Sequence, residues 1–170
     1  KSSLYMAIDL TDKVCLITGA DEGLGYGTAM GFMKRGAKVA AGLLNPDKFA
    51  SRLAPAFTMK MDVTKPEEVD AAIAQVIAHY GRIDVLINNA GIYPRLAADE
   101  MTFEDYKALR EINLDGSWRC CLGVIPHFKK QGSGVIINTG SITLRMGMAN
   151  LAHYESTKGG ILGMTRGLAR

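Results

Sequence analysis

Cysteine is scarce: Cys15, Cys120 and Cys121 are all there is, with no C-x-x-C pair. Two adjacent cysteines and one distant companion do not form a disulfide framework. Cys15 lies in an apolar run, where a small buried hydrophobe is expected. The histidines His79, His127 and His153 stand far apart, so ligand spacing predicts no metal site. No apolar stretch has the length of a membrane span, and no apolar leader precedes Asp9 and Asp12. A cytoplasmic setting without membrane contact is the expectation. Long runs of like charge are also missing, and aromatics are only 7% of the chain. Lys and Arg number 20 against 17 Asp and Glu, a net +3, too mild to predict a nucleic-acid partner. With 48% hydrophobic and 22% charged residues, and no repeat, linker or low-complexity tract, disorder and coiled coil are excluded. One domain over 1–170 is expected.

Glycine is plentiful, 19 of 170 residues. It is needed where backbone approaches something closely or takes a positive φ. The ends of the chain are unusual. It opens on Lys1, while Met6 begins a plausible natural start, which would leave Lys1 to Tyr5 outside the natural protein. It stops at Arg170 in a pattern that still reads as helix.

Short apolar runs alternate with helical patterns. Val14 to Ile17 reads as a buried strand, Gly23 to about Arg35 as a helix, and Lys38 to Ala41 and Phe57 to Met61 as further strands. Pro66, Glu67 and Glu68 open a helix that Gly81 stops. Ile83 to Ile87 is a fourth strand. Thr102 and Asp105 start a long helix in capping-box style, running to about Lys130 and expected to be disturbed at Pro126. Val135 to Ile137 is a fifth strand and His153 to Arg170 a last helix. This alternation predicts an α/β fold, a doubly wound parallel sheet covered on both faces. In such sheets ligands sit at the carboxyl ends of the strands.

At those ends stand the residues of interest. Gly19, Asp21, Glu22, Gly23, Leu24 and Gly25 follow strand one in the spacing G-x-x-x-G-x-G and open a helix. Backbone N–H groups there suit a pyrophosphate, although a glycine-rich turn alone would look the same. Asp62 and Val63 follow strand three; Asp62 either accepts from an adenine amino group or caps a turn. Asn88, Asn89, Ala90 and Gly91 follow strand four as a turn or a cofactor wall. Ser141 follows strand five, and Tyr154 and Lys158 lie four apart on one helix face. A Tyr-x-x-x-Lys pair alone arises readily by chance.

Taken together, Thr18-Gly-x-x-x-Gly-x-Gly25, Asn88-Asn-Ala-Gly91, Asn113, Ser141 and Tyr154-x-x-x-Lys158 resemble the short-chain dehydrogenase/reductase family, from about Leu10 to Arg170. The resemblance implies a Rossmann-like sheet, incomplete here, with strands one to five of the roughly six or seven usual. It implies a nicotinamide dinucleotide against Gly19, Gly23, Gly25, Asn89 and Gly91, with Asp62 and Val63 at its adenine. It implies a catalytic set of Asn113, Ser141, Tyr154 and Lys158. Hydride transfer to a carbonyl leaves an alkoxide that needs a proton, which Tyr154 would supply. A free phenol titrates at about 10; Lys158 within one helical turn would favour the phenolate and hold ribose hydroxyls. Ser141 would orient the substrate oxygen, and Asn113 would fix a water leading from Lys158 to solvent.

NAD is favoured over NADP. Leu43-Leu44-Asn45, at the end of strand two, offers neither an acid for the ribose nor a base for a 2′-phosphate. The charge of Glu22 would repel that phosphate, with Lys48 and Arg52 able to compensate if folded inward. The helix between Leu43 and Pro55 is expected to be reduced or lost. The resemblance also implies a homo-oligomer, a dimer or tetramer, pairing through the long helix and the Tyr154–Lys158 helix. Further residues usually follow that helix in the family, so the chain reads as truncated, with strand five left as an exposed apolar edge. The expected substrate is a small carbonyl or secondary alcohol, flanked by Tyr93-Pro94-Arg95 and by Ile142 to Met148. Leu144, Met146 and Met148 suit an apolar group, Arg95 or Arg145 an acidic one. The alternatives are a non-catalytic nucleotide-binding module of the same fold and a serine hydrolase using Ser141 and His153, which lacks the G-x-S-x-G elbow.

Overall fold

The computed structural model describes residues 8–170; the question of Met6 as a start lies outside them. The strands are β1 (Val14–Thr18), β2 (Lys38–Leu43), β3 (Phe57–Lys60), β4 (Val85–Asn88) and β5 (Val135–Asn138). They form one parallel sheet in the order β3-β2-β1-β4-β5. The chain winds outward from β1 to β3, then returns to place β4 on the other side of β1. That reversal opens a crevice at the carboxyl ends of β1 and β4.

Alternation along β1 separates two cores. Leu16 joins Met59, Val69, Val76, Leu86, Cys120 and Val124 on one face, covered by α3 (Pro66–Tyr80) and α5 (Gly116–Gln131). Cys15 and Ile17 join Ala29, Val39, Leu43 and Leu53 on the other, covered by α1 (Gly23–Met33) and a shortened connection. That connection is α2 (Pro46–Phe49) and the 3₁₀ turn Ala50–Leu53, a reduced helix as expected. The cover of this second face stops short of β5, where Val135 and Ile137 stay 52% and 45% exposed. All three thiols are buried. Burial pushes Cys15 and Cys120 up to about 12 and Cys121 up to about 11, so they are poor nucleophiles.

The long helix differs from expectation. The capping box of Thr102 and Asp105 opens α4 (Phe103–Arg110). A π turn, Glu111–Asp115, then leads without a break into α5. The irregularity lies at this π turn, not at Pro126, which α5 passes through. The proline removes only the bond to the Leu122 carbonyl, and Leu122 faces solvent, where water can take it. The π turn is tied down by Arg110–Asp115 at 3.0 Å and by an Arg119–Glu111 pair. It turns Asn113 inward, 1% exposed. The short α6 (Thr143–Met146) and the final α7 (Ala152–Leu168) complete the fold. None of these helices is long and apolar enough to cross a membrane.

Candidate active site

A cavity of about 670 Å³ occupies the crevice, within the range of cofactor-sized pockets. The loop after β1 forms its floor. Gly19 has φ +62°, and a Cβ there would stand 2.8 Å from the Ala90 Cα. A Cβ on Gly25 would stand 2.2 Å from the Gly19 carbonyl oxygen and 2.5 Å from the Asn89 Nδ2. Glycine at these two positions lets the loop lie against the turn after β4. At Gly23, φ is +57° and nothing lies within 4 Å of where a Cβ would be. The N-terminus of α1 has no side-chain cap, so its first N–H groups are free for an anion at the end of the helix dipole. The cradle fits a pyrophosphate.

Thr18 and Asn89 join this floor to the next wall. The Thr18 hydroxyl accepts the Asn89 and Ala90 N–H groups at 3.1 and 3.0 Å. The Asn89 amide donates to the Thr18 and Gly19 carbonyls at 3.1 and 3.0 Å. Asn89 therefore braces the loop, and its wall position follows from that. Asn113 grips the next segment, accepting the Ile92 N–H at 2.8 Å and donating to the Ile92 carbonyl at 2.9 Å. The end of β3 is held similarly: Asp62 accepts from Thr64 N–H and hydroxyl at 2.9 and 2.7 Å. Burial works against the Asp62 carboxylate, but these bonds hold it below the usual range.

At the opposite end, α7 presents Tyr154 and Lys158. Lys158 is 5% exposed, and its ammonium donates to the Thr139 carbonyl at 2.7 Å. Burial lowers its pKa. The ammonium also lies 5.7 Å from the Tyr154 ring centre. Tyr154 also meets Tyr93 edge-on, centroids 4.9 Å apart.

Of the residues singled out in the sequence, Gly19, Asp21, Glu22, Gly23, Leu24, Asp62, Val63, Asn89, Ala90, Gly91, Tyr154 and Lys158 line one cavity. Gly25, Asn113 and Ser141 do not. Gly25 lies beneath the loop, and Asn113 stands behind Ile92. The Asn113 side chain uses one acceptor position and one donor on the Ile92 backbone. The Ser141 hydroxyl pairs with the Thr143 hydroxyl at 2.8 Å and accepts the Thr143 N–H at 3.2 Å. It has no bond to His153, whose ring nitrogens have no partner; the hydrolase pairing is not formed. Leu144, Arg145, Met146 and Met148 also lie outside the cavity lining, while Tyr93 is part of it. Lys48 and Arg52 do not fold inward; they stack over Phe49 and over Tyr26 and Phe49. Ile92, Ile112, Met61 and Thr64 were missed as lining residues. Met61 was read as the last residue of strand three, whereas β3 ends at Lys60.

The short chain dehydrogenase family model matches residues 13–170. The chain is 34% identical over 168 residues to the 3-oxoacyl-(acyl-carrier-protein) reductase FabG of Thermotoga maritima, covering 95% of this chain and 68% of that protein. It is 34% identical to a probable galactose dehydrogenase, GalD, of Rhizobium meliloti, over 95% of this chain and 66% of the relative. To the L-fucose dehydrogenase of Oryctolagus cuniculus it is 33% identical, over 92% and 56%. The chain thus spans about two thirds of the reductases it matches.

Proposed function

The chain belongs to the short-chain dehydrogenase family and is an oxidoreductase by its relatives, and from that premise we propose a nicotinamide-dependent reaction between a carbonyl and a secondary alcohol. The observation that carries the reading is one cavity with a glycine cradle at one end and the Tyr154–Lys158 pair at the other. The nicotinamide ring, when bound, supplies or accepts the hydride. In the reducing direction Tyr154 gives its phenolic proton to the carbonyl oxygen as the carbon takes the hydride; in the oxidising direction it takes the alcohol proton. Lys158, its ammonium held on the Thr139 carbonyl, places positive charge 5.7 Å from the Tyr154 ring centre. It also stands to hold ribose hydroxyls.

Gly19, Gly23, Leu24 and the free N–H groups of α1 are the pyrophosphate site, Asn89, Ala90 and Gly91 the wall, and Asp62 and Val63 the adenine end. Ser141 orients the substrate oxygen once its hydroxyl exchanges the Thr143 contact for it. Asn113, its side chain engaged on Ile92, fixes a water leading from Lys158 in this reading. NAD is the favoured dinucleotide, since Glu22 lies in the cavity lining and neither Lys48 nor Arg52 does. Trp118 and Leu122 on α5 and Leu162 on α7 are exposed and are the proposed contacts of a homo-oligomer, testable by solution mass.

The deciding experiment titrates the chain with NADH and NADPH, then assays a 3-oxoacyl thioester with the reduced dinucleotides and a hexose with the oxidised ones, the substrate types in the relatives' names. Saturable binding with turnover of either supports the reading. Binding without turnover of any carbonyl or alcohol supports the non-catalytic module. No binding overturns both.

A further inference from the structure

We infer that Asp21 selects between the two dinucleotides, an inference that rests on the nicotinamide reading above. The end of β2 carries Leu43, Leu44 and Asn45, with no charge to read a ribose. The loop after β1 supplies one instead. Asp21 reaches across so that Oδ2 accepts the Leu44 N–H and Oδ1 the Asn45 N–H, each at 3.0 Å. Both Asp21 and Leu44 line the cavity. A carboxylate has about four acceptor positions. The clasp uses one on each oxygen, which fixes the plane of the group and leaves one on each oxygen free.

A rigid carboxylate of this kind matches a vicinal diol, which can donate two O–H groups in parallel. A phosphate ester on one of those hydroxyls removes a donor and adds a charge of about −1.5 to −2. It would stand against Asp21, with Glu22 also in the lining. The cations of this end do not offset it. Lys60 is bound to the Leu44 carbonyl at 2.6 Å, and Lys48 and Arg52 are over aromatic rings; none of the three lines the cavity. Asp21 thus takes the place of an acid at the end of β2, delivered by a different loop.

The test is calorimetric titration of the wild type, Asp21→Asn and Asp21→Ser with NADH and NADPH, at low and at high salt. Asn keeps an oxygen for one of the two turn N–H groups, so the clasp is partly retained. The wild type should prefer NADH, and each substitution should reduce that preference about tenfold or more. Screening should narrow the wild-type preference as salt rises, a measurement that needs no variant to fold. A wild type that prefers NADPH overturns the inference. So do variants that weaken both dinucleotides by one factor while the wild-type ratio ignores salt; Asp21 is then a clasp alone. Binding of neither dinucleotide by the wild type overturns the nicotinamide reading itself.

Discussion

The two ends of the cavity are built from different materials. The end at β1 and β2 is mostly backbone: glycines that admit no Cβ, an uncapped helix start, and carboxylates already engaged by N–H and hydroxyl donors. The end at β5 and α7 is mostly side chain: a buried ammonium with a carbonyl for a partner, and a phenol near both that ammonium and a second ring. Backbone sites bind by shape and tolerate no added atoms. Side-chain sites carry charge and protons, and they tolerate substitution structurally while losing chemistry. The two ends should therefore fail in different ways when altered.

The largest expected effect is at the side-chain end. Tyr154→Phe should lower turnover about a hundred- to ten-thousand-fold while leaving the dinucleotide dissociation constant within about threefold, since the hydroxyl is the only group lost. Equal losses of binding and rate would erase the distinction. At the backbone end, Gly25→Ala should cost about 1–3 kcal/mol of stability and abolish dinucleotide binding, because the new Cβ meets the Gly19 carbonyl and the Asn89 amide. Denaturant midpoints and titration check it; a variant of unchanged stability refutes the packing argument.

Between the ends, Asn113→Ala should cost about 1–2 kcal/mol by leaving the Ile92 N–H and carbonyl without their partners. Its dinucleotide affinity should fall several-fold as the Gly91–Tyr93 wall loosens. An unaltered melting curve would show that this bridge adds nothing. The smallest effect is a pH dependence. The folded pKa of Lys158 lies below its unfolded value, so its burial cost is full below the folded value and vanishes above the ordinary lysine value. Lys158→Met removes that cost. The stability of the variant relative to wild type should be greatest near neutrality and decline as pH rises through the lysine range. A difference flat with pH would show that Lys158 titrates normally.

Much of this architecture was legible in the chain. Each strand was readable from an apolar run, because a strand of a parallel sheet covered on both faces carries apolar residues on both sides; β5 keeps that pattern although one of its faces is exposed. The α3 start at Pro66, its stop at Gly81 and the Thr102 capping box are local signals and were found. The π turn was not, since nothing local distinguishes Glu111–Asp115 from ordinary helix; its inward Asn113 is held by Ile92, 21 residues away. The disturbance assigned to Pro126 failed because the carbonyl left unpaired there sits among solvent-facing residues. Leu144, Met146 and Met148, expected beside the substrate, are not among the residues that line this cavity.

What the sequence determined by itself is the order of strands and helices and the chemical kind of residue at each strand end, because both follow from periodicity and short-range sterics. Which of those residues open into the cavity was decided only in three dimensions. Asp21 meets Leu44 and Asn45 across 23 and 24 residues, Lys158 meets Thr139 across 19, and Ser141 turns to its own neighbour Thr143. These contacts depend on which strands and helices the sheet sets side by side: β2 beside β1 for Asp21, and α7 against the end of β5 for Lys158. The orientation of a polar side chain is then fixed by whichever partner the assembled walls leave within reach.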